Sequence, residues 1–210
     1  MAAKVYLLRH GVTDWNAGRR AQGHADIPLN AAGRRQARKA AARLVGVPLA
    51  AVYSSDLSRA IETARPIATE RGLEVLIRPG FKEIDQGDWE GLTGAEIRAR
   101  WPDLWGPARP YAPRPGGESP EQVRTRALAA LSAAVSNSPE GDIVIASHGG
   151  TIRWVVAAAL GLDIKESGRV RGLSNGGMVV LTVEDAHGSL EFGPVERLDG
   201  ASPSADDPNQ

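Results

Sequence analysis

Two stretches of this chain are built alike, each a short unbroken apolar run that stops at His-Gly. Val5-Tyr6-Leu7-Leu8 runs into Arg9-His10-Gly11, and Ile143-Val144-Ile145-Ala146 runs into Ser147-His148-Gly149. A run of this length with no polar alternation is the pattern of a strand buried on both faces, and such strands belong to parallel sheets covered by helices on either side. The chain between the two runs fits that requirement. Residues 31–44 follow Asn30, a good N-cap, and carry Ala37, Ala40, Ala41 and Leu44 along one face, so they predict a crossover helix. Residues 51–53 predict a second strand. Ser55 or Asp56 then caps a helix over 57–71 that Pro66 kinks and Gly72 stops, and 74–77 predict a third strand.

Beyond Pro79-Gly80 the pattern turns irregular through Gly87, Trp89 and Gly91, until Thr93 and Glu96 give capping-box spacing for a brief helix to residue 100. Residues 101–117 hold Pro102, Pro107, Pro110, Pro113 and Pro115 with Trp101, Trp105 and Tyr111, a composition that predicts an inserted lid or substrate loop without regular structure. Ser119, Pro120 and Gln122 combine a cap, an N1 proline and a capping-box partner, opening a helix to about residue 136. A strand over 142–146, a helix over 150–160 closed by Gly161, and strands over 178–183 and 190–195 complete the order. The alternation predicts an α/β fold, a three-layer α/β/α sandwich with a mostly parallel central sheet and right-handed crossovers. At 210 residues one domain over 1–199 is expected, with 200–210, rich in Ser, Pro, Asp and Ala, a disordered tail. Apolar residues over 178–183, read as an exposed edge strand, predict a homodimer.

Composition narrows the function. Lys plus Arg equals Asp plus Glu at 25 each, so no basic excess favours nucleic acid as a partner. There is no cysteine, which removes thiolate metal sites and Cys nucleophiles. The apolar run over 5–8 is too short for a signal sequence and the longest run, 154–160, too short to cross a membrane, so the reading is a cytoplasmic protein without a membrane partner. The four histidines show no metal-ligand spacing, and no Gly-x-x-x-x-Gly-Lys phosphate loop occurs.

In doubly wound sheets ligands gather outside the carboxyl ends of the strands. The groups just after the predicted strands are Arg9 and His10, then Ser54 to Arg59, then Glu83, then Ser147, His148 and Gly149. Two imidazoles, two guanidiniums and one carboxylic acid thus converge on one edge. Arg9 and Arg59 offer fork-shaped donors to a phosphate dianion, Gly11 and Gly149 admit close backbone approach, and the helix start after Gly150 points amides the same way. In such a pocket a neutral histidine attacks phosphorus and becomes a phosphohistidine. Glu83 protonates the leaving group, a bound phosphate favouring its protonated form, and later takes a proton from water; the arginines and second imidazole hold the equatorial oxygens.

The sequence resembles the histidine phosphatase superfamily, the phosphoglycerate-mutase-like proteins. The resemblance runs from Leu8-Arg9-His10-Gly11-Val12-Thr13-Asp14-Trp15-Asn16 through Gln22-Gly23, Asp26-Ile27-Pro28-Leu29 and Gly33-Arg34-Arg35-Gln36-Ala37, and resumes at Ser54-Ser55-Asp56-Leu57-Ser58-Arg59-Ala60. It continues at Glu83 with Gly87-Asp88-Trp89-Glu90-Gly91, at Gly116-Gly117-Glu118-Ser119 and at Ser147-His148-Gly149-Gly150. It implies His10 as the phosphorylated nucleophile, Arg9, Arg59 and His148 as the phosphate clamp, Asn16 as a further phosphate contact, Gln22 and Gly23 as pocket lining and Glu83 as proton donor, with Gly149 beside His148 read as a further phosphate-binding position. No cofactor or metal is implied, and the partner is a small-molecule phosphate monoester. Bisphosphoglycerate-dependent mutases of the family carry a longer insertion with Arg-x-Tyr-Gly after the acidic residue; the stretch here, Ile84 to Gly91, resembles the phosphatase branch instead.

Other readings stand beside these. A mutase needing a bisphosphate primer and a catalytically silent phosphate-binding or interaction domain are the alternatives. His24 and His187 read as surface residues, His24 lying near enough to Gln22 to reach substrate. Trp101, Trp105 and Tyr111 either cap the core or, with Arg109 and Arg114, line the leaving-group pocket; Ser119 is a helix cap, and Glu118 has a second reading as a residue that orients the pocket.

Overall fold

The computed structural model describes residues 2–105, 109, 111–138, 141–186 and 189–198; His187 and the tail 200–210 lie outside the described residues. Along the chain come β1 (Ala3–Arg9), α1 (Asp14–Ala17), α2 (Ala31–Arg43), β2 (Leu49–Ser54), α3 (Ser58–Thr69) and β3 (Val75–Ile77). After them come α4 (Gly94–Arg100), α5 (Pro102–Trp105), α6 (Pro120–Ser136), β4 (Asp142–Ser147), α7 (Gly149–Ala159), β5 (Met178–Ala186) and β6 (Ser189–Arg197). Short 3-10 turns occur at Pro79–Phe81, Gly87–Trp89 and Lys165–Arg169. Among the described residues six strands form one sheet in the order β3-β2-β4-β1-β5-β6. β1, β2, β3 and β4 are mutually parallel, β5 runs antiparallel to β1, and β6 pairs antiparallel with β5.

The continuous apolar runs make sense once both faces are counted. Val5 and Leu7 of β1 and Ile143 and Ile145 of β4 pack with Leu131 of α6 and Ile152, Val155 and Val156 of α7. Their neighbours Tyr6, Leu8, Val144 and Ala146 point the other way, onto Ala40, Ala41 and Leu44 and onto Ala60, Ala64 and Ile67 of α3. Successive strand residues face opposite sides, so a strand between two helical layers has no position left for a polar side chain. The three-layer sandwich follows.

Local signals were legible where the cap is on the helix itself. Asn30 Oδ1 accepts from Gly33 N at 3.0 Å, and Thr93 with Glu96 and Ser119 with Gln122 form full capping boxes. α3 differs. Neither Ser55 nor Asp56 is its N-cap; Leu57 holds that position without a side-chain cap, and Asp26, distant in sequence, accepts from Ser58 N at 2.7 Å. Residues 101–117 are not wholly irregular either, since Pro102 at the first helical position starts α5; residues 106–108 and 110 of this stretch lie outside the described residues. The strand over 178–183 is not at an edge: β5 lies between β1 and β6, and Met178, Leu181 and Val183 are fully buried, which removes the exposed apolar surface on which a homodimer was expected. Among the described residues no helix is long and apolar enough to cross a membrane.

Candidate active site

The carboxyl ends of β1, β2 and β4 deliver their residues to one place. β1 ends at Arg9 with His10 next, β4 ends at Ser147 with His148 next, and the two strands pair in register, Arg9 opposite Ser147. The imidazoles therefore lie side by side, ring centroids 5.1 Å apart and planes at 58°. Gly11 permits the tight turn out of β1, because a Cβ there would sit 2.5 Å from the Gly33 carbonyl oxygen at the start of α2.

His10 is buried, and its Nδ1 lies 2.7 Å from the carbonyl oxygen of Gly11. A carbonyl only accepts, so Nδ1 carries the proton and Nε2 keeps its lone pair. Burial, reinforced by the charges of Arg59 and Arg9, holds the His10 pKa well below the usual imidazole value, against a smaller opposite pull from the Gly11 carbonyl. His148 is likewise held well below, by burial first and then by the charge of Arg59. Its Nε2 is 2.9 Å from Ser55 Oγ, while its buried Nδ1 has no partner.

The guanidiniums are fixed by carbonyl oxygens. Arg9 Nη1 donates to Leu173 O at 2.7 Å; Arg59 Nη1 and Nη2 donate to Ala25 O and Gly23 O, both at 2.8 Å, and its Nε is buried without a partner. Desolvation lowers the Arg59 pKa to about 10, with Glu83 and Asp26 pulling the other way. A fully buried cation held by neutral carbonyls is poorly compensated, which is what an anion site looks like when built for its ligand.

Glu83 follows the Pro79–Phe81 turn and meets the start of α7. Its Oε2 accepts from Gly150 N at 3.2 Å, and its Oε1 accepts from Ile84 N at 3.0 Å and Thr151 N at 3.2 Å. The helix-start amides of Gly150 and Thr151 thus bind this carboxylate, not the phosphate as the sequence suggested. Gly150 has its own reason to be glycine: a Cβ there would lie 2.7 Å from Glu83 Oε1.

The remaining residues implied by the resemblance also gather here. Asn16 Oδ1 accepts from Thr13 N at 3.1 Å, leaving its buried Nδ2 without a partner. Gln22 is buried and accepts from Thr13 Oγ1 at 2.9 Å; Gly23 acts by holding Arg59; Gly149 is the first residue of α7, directly after His148. Sequence reasoning missed Asn175, whose Nδ2 donates to His10 O at 3.0 Å and lies 3.3 Å from Asn16 Oδ1. Its only sequence signal is an Asn inside Ser174-Asn175-Gly176-Gly177 before a strand. Leu173, which holds Arg9, gave none.

His24 is no bystander. Its Nε2 lies 3.0 Å from the backbone oxygen of Glu83, and the ring stands between Asp85 Oδ2 and Glu118 Oε2 at 3.7 and 3.8 Å. Arg126 Nη2 donates to the same Glu83 oxygen at 2.8 Å and, through Nε and Nη2, to both oxygens of Glu118. Glu118 also accepts from Asp85 N at 2.9 Å; burial opposes its ionisation, yet these hydrogen bonds hold its carboxyl below the usual range. Its reading as a residue that orients the pocket agrees with this geometry.

Trp101 and Trp105 cap a satellite core. Trp89, Ala21, Ile97 and Trp105 pack together with Trp101 against them, and the Trp89 and Trp105 rings meet edge to face at 5.8 Å. Arg109 and Arg114 lie on those rings, 4.3 Å over Trp105 and 4.7 Å over Trp89, while Tyr111 is exposed. Arg114 Nε donates to Gln86 Oε1 at 3.2 Å; burial, then the Arg109 charge, lowers its pKa to about 9, with Glu83 pulling upward. Among the described residues no cluster of three or more His, Asp or Glu is placed to hold a metal ion.

Two buried histidines beside two buried arginines at parallel strand ends define a class, and comparison agrees: residues 5–192 match the model of histidine phosphatase superfamily (branch 1), and the chain belongs to that family. Glucosyl-3-phosphoglycerate phosphatase of Mycobacterium tuberculosis is 37% identical over 201 residues, covering 90% of this chain and 89% of that protein. A probable phosphoglycerate mutase of Cronobacter sakazakii is 36% identical over 171 residues, 80% of each chain. The structure of a mycobacterial glucosyl-3-phosphoglycerate phosphatase in complex with VO3 superposes with a TM-score of 0.82 at 32% identity, covering 91% of this chain and 97% of that one.

Proposed function

We propose that this protein is a phosphomonoesterase that hydrolyses a small phosphorylated metabolite through a phosphohistidine on His10, with no cofactor. The observation that carries this reading is the His10 tautomer: with Nδ1–H fixed on the Gly11 carbonyl, Nε2 presents its lone pair beside a second imidazole and two buried guanidiniums.

The steps balance with residues of this chain alone. Arg9, Arg59 and Asn16 Nδ2 hold the equatorial oxygens; His148 joins them through Nδ1–H when the Ser55 hydroxyl donates to its Nε2. His10 Nε2 attacks phosphorus, the P–N bond forms as the P–O ester bond breaks, and the leaving oxygen takes a proton from Glu83. Oε2 is the oxygen suited to carry that proton, having one backbone donor where Oε1 has two. In the second step Glu83, now a carboxylate, takes a proton from water; the water oxygen attacks phosphorus, the P–N bond breaks, and inorganic phosphate and neutral His10 return. Burial, and after it the charges of Arg59 and Arg9, keeps His10 neutral and nucleophilic below pH 6.5.

Similarity to the mycobacterial phosphatases supports a phosphoglycerate derivative such as glucosyl-3-phosphoglycerate as substrate, with phosphoserine, sugar phosphates and a ribazole-type phosphate as the wider class. Similarity to probable mutases supports a second reading, isomer interconversion with a bisphosphate primer. A cytoplasmic setting accords with the lack of cysteine. A metabolite panel assayed for phosphate release in EDTA, with acid-labile label trapped from a phosphorylated substrate, tests the proposal. Phosphate release and label on His10 are expected, and full activity in His10→Ala overturns it. Primer-dependent interconversion of 2- and 3-phosphoglycerate with little net release decides for the mutase.

A further inference from the structure

Behind the phosphate floor lies a cavity of about 230 Å³ that the proposed reaction does not use. It is bounded by α7, by the β5–β6 pair and by the segment that follows the Lys165–Arg169 turn, and opens to solvent. Ile152, Val156, Val170, Leu173 and Val195 give it apolar walls. One end reaches Gly149, next to His148, and the other reaches Leu160, one of the few large apolar side chains left more than half exposed.

Its charge is one-sided. Arg153, Arg169, Arg171 and Arg197 line it, and among the described residues no Asp or Glu does. In a chain whose charges balance at 25 and 25, four arginines gather around one apolar hollow. Arg197 also braces the wall, donating to Arg171 O at 2.6 Å and Gly172 O at 2.7 Å; Arg169 pairs at 2.8 Å with Glu166, which does not itself line the cavity. Leu173 belongs to both places, lining the cavity and holding Arg9 through its carbonyl. The cavity is therefore a neighbour of the phosphate site and chemically unlike it. Apolar walls with a few charges of one sign are the make-up of a small-molecule pocket, and its volume, just below the common range of about 300–1,000 Å³, sets a small occupant.

We propose that this cavity binds a small amphiphilic carboxylate, its apolar tail between α7 and the β5–β6 pair and its anion among the arginines. The partner chemistry follows from the walls and the charge: the tail removes apolar surface from water, and a carboxylate accepts guanidinium hydrogen bonds that an alcohol meets only weakly. The site is separate from the phosphate clamp, so occupancy by phosphate analogues leaves it open.

Titration calorimetry of the full chain with octanoate, repeated in saturating vanadate, tests this without any assay of activity. Saturable octanoate binding unaffected by vanadate is expected, with octan-1-ol about tenfold weaker for want of the charge-assisted hydrogen bond. Val156→Trp fills the cavity, and Leu160→Asp puts an acid at its exposed mouth without touching the interior; each is expected to weaken octanoate about tenfold or more while vanadate binding is kept. Displacement of octanoate by vanadate, unchanged affinity in Leu160→Asp, equal binding of octylamine, or no heat from a protein that still binds vanadate overturns the proposal. Octanoate binding that responds to these variants in a chain that binds no vanadate upholds the cavity and overturns the phosphatase reading instead.

Discussion

The floor of the site is buried and its wall buried or half-buried, both are polar, yet they handle their hydrogen bonds in opposite ways. On the floor, Arg59 Nε, Asn16 Nδ2 and His148 Nδ1 are buried donors or ring nitrogens with no partner. In the wall, His24, Glu83, Glu118 and Arg126 bond chiefly to one another and to backbone, and Arg114 to Gln86, though the Trp89 indole N–H has no partner among the described residues. An unpaired buried polar group costs about 1–3 kcal/mol, so the floor is destabilised until a ligand arrives, whereas the wall stabilises itself. Floor residues should therefore matter to chemistry more than to folding, and the wall around Glu83, which itself carries the proton, more to positioning and folding.

The sharpest break in that contrast is His10→Ala, expected to lower kcat/KM by about 10⁴-fold or more in steady-state assays with the fold intact by circular dichroism. Arg59→Met tests the floor in both directions. Activity is expected to fall about 10²–10³-fold, while thermal melting without phosphate rises, because a poorly compensated buried cation is replaced by an apolar chain. A lower melting temperature would mean the carbonyls of Gly23 and Ala25 depend on that guanidinium more than the contrast allows. For the wall, Trp89→Ala is expected to cost about 3–5 kcal/mol in urea unfolding, since Trp89 is fully buried at the centre of the satellite core.

Proton linkage gives a further test. His10 and His148 are held well below 6.5 by burial and by nearby arginine charges. Below pH 6.5 the unfolded chain therefore binds protons that the native state does not, so stability is full above pH 6.5 and lost as pH falls from there toward the native pKa values. Melting temperatures between pH 7.5 and 5 are expected to fall, and a His10→Asn, His148→Asn double variant to flatten the slope. The mildest effect is expected from His24→Ala, which removes one support of the Glu83 carbonyl. A drop in kcat of about tenfold with KM little changed is expected, and His24→Gln, which keeps a donor at that reach, restores part of it. Equal loss in both variants would assign His24 a different role.

The same contrast explains what was legible. Floor residues stand beside strand ends that announce themselves by apolar runs, so Arg9, His10, Arg59 and His148 were readable in place. Glu83 was readable as the suitably placed acid after the third strand, but its bonds to Gly150 and Thr151 were not, because they join segments 67 and 68 residues apart. Asn175, Leu173 and the Asp26 cap on α3 escaped for the same reason. The 178–183 strand read as an edge because its apolar pattern is the same whether its neighbour is water or β6; only the sheet order decides.

By itself the sequence determined the alternation of strands and helices, the capping boxes and the reactive residues at strand ends, since each depends on interactions within a few residues. Only the tertiary structure decided which carbonyl fixes which arginine, the tautomer neighbours of each histidine, the burial of β5 and the arginine-lined cavity beneath α7. Those depend on which distant segments share a wall, and packing three layers around one sheet settles that.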